Sequence, residues 1–490
     1  MPRLEWPLHI VRRVVIAVVV LAVVAVAVPL IVDRVQDSRE RCADGVVKRG
    51  PAKECVGVSD GGFEFADHLA GVLAKIKAEN DRVAAHADEE PYVSVAYMTS
   101  LTLTDDDSNS EESVRHELEG AYLAQYRHNR GDLAASPKIR LLVANTGSSA
   151  KQWQYTVDEL IDRKSSKDRL VAVVGLGPST DRTLAAVRRL SQHGLAMVAS
   201  TMTATNIHDI NGFVRVSPTN NDEAYAAAAY LKREHFRTAA VVQDVAKGNL
   251  YAETLAAAFT RAFPDKDGHR LVPPDKKTFN SSVSSAWENE LSFIPGQLCD
   301  KKPQVVYFAG RGQHLTAFLN AIANRPCQEQ EFTVMTGDDT TNLTAAQIKK
   351  AAETKVRVLY TGLAHPAMWS KDEYGVAAPS ARAFQEGGLL ARWFPNDPRD
   401  DGQAIMAHDS VLTAARGIWM AARGEKVTGE AVGRMFQQMD SEKVPGASGF
   451  LSFGNDGNPL DKAVPILSLD EDGRADFVEV SPAHGEPARR

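Results

Sequence analysis

Short apolar runs alternate with amphipathic stretches along most of the chain after residue 90. The first runs lie at 93–98, 139–144, 170–175, 196–199 and 213–216. Between them apolar residues recur every three or four positions, which is typical of helices buried on one face. Buried strands separated by such helices predict parallel strands with right-handed crossovers and helices on both faces of a sheet. The pattern therefore predicts a doubly wound α/β architecture.

The same alternation resumes after residue 220, with strands predicted at 239–243, 305–309, 332–336 and 356–361. About ten strands exceed the five or six of an average sheet, so we expect two lobes with a sheet of about five strands each. Three later helices have no comparable strands between them and are expected to cover the first lobe. They are predicted at 378–393, 410–422 and 428–439.

The N-terminal region contains an uncharged apolar run from Val14 to Val32. A helix of roughly 20 apolar residues spans a bilayer, so this run predicts a single membrane anchor. Arg12 and Arg13 precede the run, and the positive-inside bias places the N-terminus in the cytoplasm and the bulk of the chain outside the cell membrane. An alternative is a cleaved signal peptide, because Ala25-Val26-Ala27 reads as a small-residue cleavage site.

These patterns divide the chain into six parts. We expect a cytoplasmic N-terminus at 1–13, the anchor at 14–32, a tether with a disulfide loop and one helix at 33–90, lobe 1 at 91–217 with 364–440, lobe 2 at 218–363 with 441–475, and a flexible tail at 476–490.

Composition excludes several function classes. A chain of 490 residues is long enough for two hydrophobic cores. Its formal net charge of −7, with no stripe of basic and aromatic residues, argues against nucleic-acid binding. The chain contains no Gly-x-Ser-x-Gly, His-Glu-x-x-His or Walker sequence, so we expect no catalysis, no cofactor and no metal site.

Four cysteines follow the anchor, where an oxidising compartment favours disulfides. Their spacing is not that of zinc or redox sites. The simplest of the three possible connectivities pairs neighbours along the chain, and four unpaired buried thiols are the alternative. The predicted pairs are Cys42 with Cys55 and Cys299 with Cys327.

Two loops at the carboxyl ends of predicted strands are candidates for ligand binding, because open α/β sheets bind ligands there. In the first, Gly175 to Thr180 leads into a helix whose free N–H groups favour a carboxylate. Ser179 or Thr180 can cap that helix, and the alternative is that Ser179 does no more than cap it. The second loop, Ser200 to Asn206, is rich in hydroxyl groups that suit a small zwitterion, and an ordinary polar loop is the alternative.

An ordered set of motifs resembles the type 1 periplasmic binding proteins, which include the branched-chain amino-acid receptors of ABC importers. The resemblance covers roughly residues 91–470. Its motifs are Gly177-Pro178-Ser179, the loop 200–206, Phe213-x-Arg215-x-x-Pro218-Thr219, Asp244 with Tyr251, His408-Asp409-Ser410-Val411-Leu412, and the closing segment 450–458.

The resemblance implies a small-molecule ligand in the cleft between two lobes. Ser179 matches a contact to the ligand carboxylate, and Tyr251 matches a tyrosine that closes over the ligand. Asp339, or equally Asp338, falls where an acid pairs the ligand ammonium. Arg311 stands where importers of aliphatic amino acids carry an aromatic residue, and it either favours an anionic side group or points into solvent. The remaining candidate contacts are Thr180, Thr201, Met202 and Thr203.

Two functions fit this resemblance. The first is the membrane-anchored substrate-binding protein of an ABC importer, which takes an amino acid or similar small solute and works with permease and ATPase subunits. The second is a membrane-tethered sensor of the same fold that signals through a partner protein. In either case the lobes are expected to close by rotation about crossovers near 217–220 and 362–366 and in the C-terminal segment.

Overall fold

The computed structural model describes most of the chain beyond residue 39. The described residues are 12, 13, 16, 40–131, 133, 135–284, 286–340, 345–370, 377–395, 399–423, 426–440, 443–469 and 475–481. Within these ranges, no helix has both the length and the apolar character needed to cross a membrane. The predicted anchor at 14–32 lies outside the described residues, apart from Ile16.

Lobe 1 is built on an eight-stranded sheet with the order β1-β2-β3-β5-β4-β6-β7-β8. Strands β4 to β8 run parallel, whereas β3 joins β5 in the antiparallel direction. The strands are β1 (Arg41–Ala43), β2 (Val46–Arg49), β3 (Glu54–Ser59), β4 (Tyr92–Thr99), β5 (Lys138–Asn145), β6 (Leu170–Gly175), β7 (Ala196–Ala199) and β8 (Phe213–Arg215).

Four helices accompany these strands, and apolar side chains fill a core on each face of the sheet. Local caps define where the helices begin. Ser110, for example, accepts the N–H of Ser113 at the start of the second helix and forms a capping box with it. The helices are α1 (Ala70–Ala85), α2 (Glu111–Arg130), α3 (Trp153–Arg163) and α4 (Asp181–Gln192).

Lobe 2 has a seven-stranded sheet with the order β10-β9-β11-β12-β13-β16-β17. Its first five strands are parallel and the last two are antiparallel. The parallel strands are β9 (Thr238–Asp244), β10 (Arg270–Phe279), β11 (Val305–Ala309), β12 (Phe332–Thr336) and β13 (Val356–Thr361). The helices are α5 (Asn220–Arg233), α6 (Leu250–Ala262), α7 (Trp287–Lys301), α8 (Gly312–Ala323) and α9 (Ala345–Glu353).

After β13 the chain returns to lobe 1, where Ile405 and Ile418 lie in the core. A short two-stranded sheet follows, and the last two strands complete lobe 2. The elements are α10 (Ala378–Phe384), α11 (Leu389–Trp393), α12 (Gln403–Ala421), α13 (Gly429–Phe436), β14 (Val444–Pro445), β15 (Phe450–Leu451), β16 (Pro465–Leu469) and β17 (Ala475–Val480).

Several predicted boundaries differ from the structure. Residues 41–59 were expected in a tether, but they form three strands of the lobe 1 sheet because β3 pairs with the edge of β5. Val444 and Leu451 were assigned to lobe 2, yet their side chains pack in the lobe 1 core. Residues 476–480, predicted as part of a flexible tail, instead form most of β17.

Both predicted disulfide pairs are confirmed. Cys42–Cys55 joins β1 to β3, and Cys299–Cys327 joins α7 to the loop that follows α8. The first disulfide closes the outer edge of the lobe 1 sheet. The second ties two neighbouring helical segments on one side of lobe 2.

Candidate functional site

Ser179 and Thr180, the two candidate helix caps in the loop after β6, have different hydrogen-bond partners in the structure. Thr180 caps α4, because its side chain accepts the N–H of Thr183 and the Thr183 side chain accepts the N–H of Thr180 in return. Ser179 takes no part in this capping box. The Thr180 side chain is therefore used to cap the helix, whereas the Ser179 side chain remains a candidate for ligand binding in the cleft.

The Ser179 hydroxyl is almost fully buried, with 1% of the residue exposed. Its oxygen accepts the backbone N–H groups of Thr203 and Ala204, each at 3.0 Å. A hydroxyl oxygen has two lone pairs and one hydrogen, so these bonds use the acceptor capacity and leave the hydrogen to be donated. A carboxylate oxygen is a suitable acceptor for it.

A buried arginine, Arg215, hydrogen-bonds to the backbone of the hydroxyl-rich loop 200–206. Arg215 donates to the carbonyl oxygens of Met202 at 2.8 Å and Ala204 at 3.0 Å. The Met202 side chain packs among the buried apolar residues of lobe 1, and its role as a ligand contact stays a prediction. Thr201 and Thr203 flank it at the carboxyl edge of the sheet.

A second set of buried polar groups, Tyr97 on β4 and Glu117 on α2, lies near the carboxyl edge of the lobe 1 sheet and was not predicted from the sequence. Tyr97 donates to Glu117 Oε2 at 2.7 Å, and its hydroxyl lies 3.2 Å from Ser200 Oγ. Burial raises the pKa of Glu117 to about 7. At the end of the same strand, the buried Thr99 Oγ1 has no hydrogen-bond partner among the described residues, which makes it a further candidate ligand contact.

Lobe 2 contributes Tyr251 from the first turn of α6. The residue is 1% exposed, and its hydroxyl accepts the backbone N–H of Asp339 at 3.3 Å. A Cβ atom at position 337 would lie 2.4 Å from that hydroxyl, so only glycine leaves room for the ring. Gly337 thus allows the tyrosine to reach the loop that carries the two candidate acids.

Arg311 bridges the two lobes. Its Nη1 donates to Asp339 Oδ2 at 3.2 Å, and its Nη2 donates to the Ser179 carbonyl oxygen at 2.7 Å. Its guanidinium carbon lies 4.8 Å from the centroid of the Tyr251 ring, within cation–π range. The residue is 9% exposed, so of the two predicted orientations the one toward solvent is wrong.

The two candidate acids have different partners. Burial raises the pKa of Asp339, and the Arg311 charge opposes this shift. Asp338 instead faces Glu223, whose Oε2 accepts the Asp338 N–H at 3.1 Å and the Thr361 hydroxyl at 2.7 Å. Burial raises the pKa of Asp338 to about 7 and raises that of Glu223 well above its ordinary range. The pair therefore retains a proton near neutrality.

Further contacts join the lobes beside this site. The Asp181 N–H donates to the Gly248 carbonyl at 3.1 Å, and the Thr205 N–H reaches Thr254 Oγ1 at 3.4 Å. The lobes are thus in contact across the cleft. Ser179 from lobe 1 meets Arg311, Tyr251 and Asp339 from lobe 2 in one cluster, which we call the cleft cluster.

The chain is similar in sequence and fold to solute-binding proteins. The family model described as "Periplasmic binding protein" matches residues 102–474. No curated protein matches the chain. A leucine-binding protein from Thermotoga maritima is 17% identical, with a TM-score of 0.61, over 80% of this chain and 99% of that one.

Two further solved structures have the same fold. The substrate-binding protein of a branched-chain amino-acid transporter from Streptococcus pneumoniae, in complex with isoleucine, is 16% identical, with a TM-score of 0.60, over 80% of this chain and 99% of that one. An ABC-transporter solute-binding protein from Rhodopseudomonas palustris, in complex with 3,4-dihydroxybenzoic acid, is 14% identical, with a TM-score of 0.59, over 81% of this chain and 99% of that one.

These findings confirm the expected two-lobed fold and the expectation of a binding protein rather than an enzyme, because the matched family and structures are solute-binding proteins. The family match extends over more than half of the chain, from the loop after β4 to the segment before β17. The chain belongs to the periplasmic binding protein family.

Proposed function

We propose that the chain is the extracytoplasmic solute-binding subunit of an ABC importer and that it holds a small solute bearing a carboxylate, an amino acid or a similar acid, between its lobes. The cleft cluster carries this proposal. In it, the Ser179 hydroxyl has a hydrogen to donate, and Arg311, Tyr251 and Asp339 approach it from the opposite lobe. The similar structures that bind leucine, isoleucine or a dihydroxybenzoate support a ligand of this size.

Thermal unfolding of the full-length chain in detergent tests solute binding. The panel consists of amino acids, their deaminated acids, sugars and purines. A ligand at 100 times its dissociation constant stabilises the native state by about 2.7 kcal/mol, which a thermal scan detects.

Matched variants locate the site. Ser179→Ala should remove most of the stabilisation by an acidic ligand, because it removes the available hydroxyl donor. Ser282→Ala, an exposed serine in lobe 2, is the control and should keep it. A ligand shift that survives Ser179→Ala unchanged would place the binding site elsewhere.

The membrane anchor is a separate part of the proposal. The uncharged run 14–32, preceded by Arg12 and Arg13, supports it. We expect the full chain to stay in the membrane pellet after alkaline carbonate extraction, and a chain beginning at residue 33 to appear in the supernatant. Release of the full chain under the same conditions would contradict an anchor.

A further inference from the structure

Arg311 occupies the centre of the cleft cluster with a positive charge that belongs to the protein itself. It comes from the segment Gly310-Arg311-Gly312, between the end of β11 and the start of α8. A Cβ atom on Gly312 would lie 2.9 Å from the Asp339 carbonyl oxygen, so glycine allows the two segments to approach closely. This approach places the arginine beside Asp339 and directs it toward lobe 1.

The guanidinium has three neighbours that would each attract a cation. They are the Asp339 carboxylate, the Ser179 carbonyl oxygen and the face of the Tyr251 ring. A ligand ammonium would seek the same neighbours, because a buried ammonium needs an opposite charge and hydrogen-bond acceptors. Arg311 already satisfies them, and a second cation beside it would be repelled.

The donors that remain in the cluster suit an anion. An arginine has five N–H donors, and within the described part of the chain two of them are used, by the bonds to Asp339 and Ser179. The Ser179 hydroxyl hydrogen is a further donor, since its oxygen accepts two backbone N–H groups. A planar guanidinium beside a hydroxyl donor matches a carboxylate, which accepts paired hydrogen bonds.

We propose that Arg311 makes this cleft selective for organic acids that carry a carboxylate and no ammonium group. This inference rests on the proposed function, because it names the solute class of the same cleft. Arg311 replaces the ligand ammonium as the partner of Asp339 and at the same time supplies the positive charge that attracts the carboxylate.

Matched ligand pairs test the proposal with the full-length chain in detergent, by titration calorimetry. The pairs are 4-methylpentanoate with leucine, 3-phenylpropanoate with phenylalanine, and glutarate with glutamate. Each pair shares a carbon skeleton and differs in the α-ammonium. We expect the wild-type chain to bind at least one deaminated acid at least tenfold more tightly than its amino acid.

Two variants separate charge from packing. Arg311→Gln should lower the affinity for the deaminated acid at least tenfold and raise the affinity for the matching amino acid. The reason is that Asp339 then lacks a cationic partner, which the ligand ammonium can supply. Arg311→Lys keeps the charge and should keep the wild-type order of preference. Circular dichroism and thermal unfolding of each variant without ligand establish that it is folded.

Three results would overturn the inference. A wild-type preference for amino acids would refute it and leave the proposed function standing. Equal weakening of both members of a pair by Arg311→Gln would reduce Arg311 to a packing role. If no ligand of any pair binds to the wild type or to either folded variant, both the proposed carboxylate-binding function and the inference are refuted.

Discussion

Glu117 offers a direct test of the electrostatics beneath the cleft, through the substitution Glu117→Gln. The residue is 1% exposed, on α2, and its carboxyl group accepts the Tyr97 hydroxyl at 2.7 Å. Burial raises the pKa of Glu117 from its ordinary 4.5 to about 7, and the nearby charge of Asp401 adds to the shift while the hydrogen bond from Tyr97 opposes it. Glutamine has a similar shape and does not ionise between pH 5 and pH 8.

The sign of the effect follows from proton linkage. Between pH 4.5 and about 7 the folded state keeps the Glu117 proton, whereas the unfolded chain releases it. The stabilisation is therefore fully present below pH 4.5 and is lost as the pH rises through about 7. At about 1.4 kcal/mol for each tenfold difference in proton affinity, the whole effect is about 3 kcal/mol, most of which falls between pH 5 and pH 8.

Urea unfolding of the full-length chain at pH 5 and pH 8, followed by circular dichroism, measures this difference. On going from pH 5 to pH 8, the wild type should lose about 2 to 3 kcal/mol more unfolding free energy than Glu117→Gln, at an unchanged denaturant slope. Glu112→Gln is the matched control, because Glu112 lies on the same helix with 55% of its side chain exposed. If Glu117→Gln and the wild type respond identically to pH, Glu117 is ionised in the folded state and the reasoning is wrong.

Three further sets of substitutions test individual contacts. Replacing both Cys299 and Cys327 by serine opens a loop with a sequence separation of 28 residues, so urea unfolding should show a loss of about 3 to 4 kcal/mol; a loss below about 1 kcal/mol would contradict a structural disulfide. Gly337→Ala places a Cβ atom 2.4 Å from the Tyr251 hydroxyl, so the ring must move. Calorimetry should then show a solute affinity at least tenfold weaker, and an unchanged affinity would show that Tyr251 does not contact the solute. Thr180→Ala removes a helix cap and should cost about 1 kcal/mol in thermal unfolding, whereas Thr180→Ser keeps the hydroxyl and should cost little; equal losses would refute the capping role.

Most parallel strands of both sheets could be predicted from the sequence, because each is buried on both faces and appears as a continuous apolar run. The run at 170–175 coincides with β6, and those at 305–309 and 332–336 coincide with β11 and β12. Strand β10 was missed because it lies at a sheet edge, where Arg270 to Phe279 includes charged residues and two prolines. Helix α7 was missed because Pro295 and Gly296 interrupt its helical pattern.

The cleft was harder to predict than the fold. Ser179 and Asp339 follow strand ends, so topology places them at the correct edge. Glu117 and Glu223 lie on helices, where an acidic residue usually indicates a solvated face, and only the packed structure shows that both are buried. The direction of the Arg311 side chain likewise depends on Asp339 and on the opposing lobe, which are distant in sequence.

The position of the last two strands of lobe 2 in the sequence affects folding during synthesis. Strand β16 pairs with the edge of β13 and β17 pairs with β16, yet both strands come from 465–480, after the chain has returned through lobe 1. During synthesis, β13 therefore presents an open edge until more than a hundred further residues have been added. Open strand edges pair readily with other chains, so a polypeptide that stops before Pro465 would expose an aggregation-prone edge in an otherwise assembled lobe.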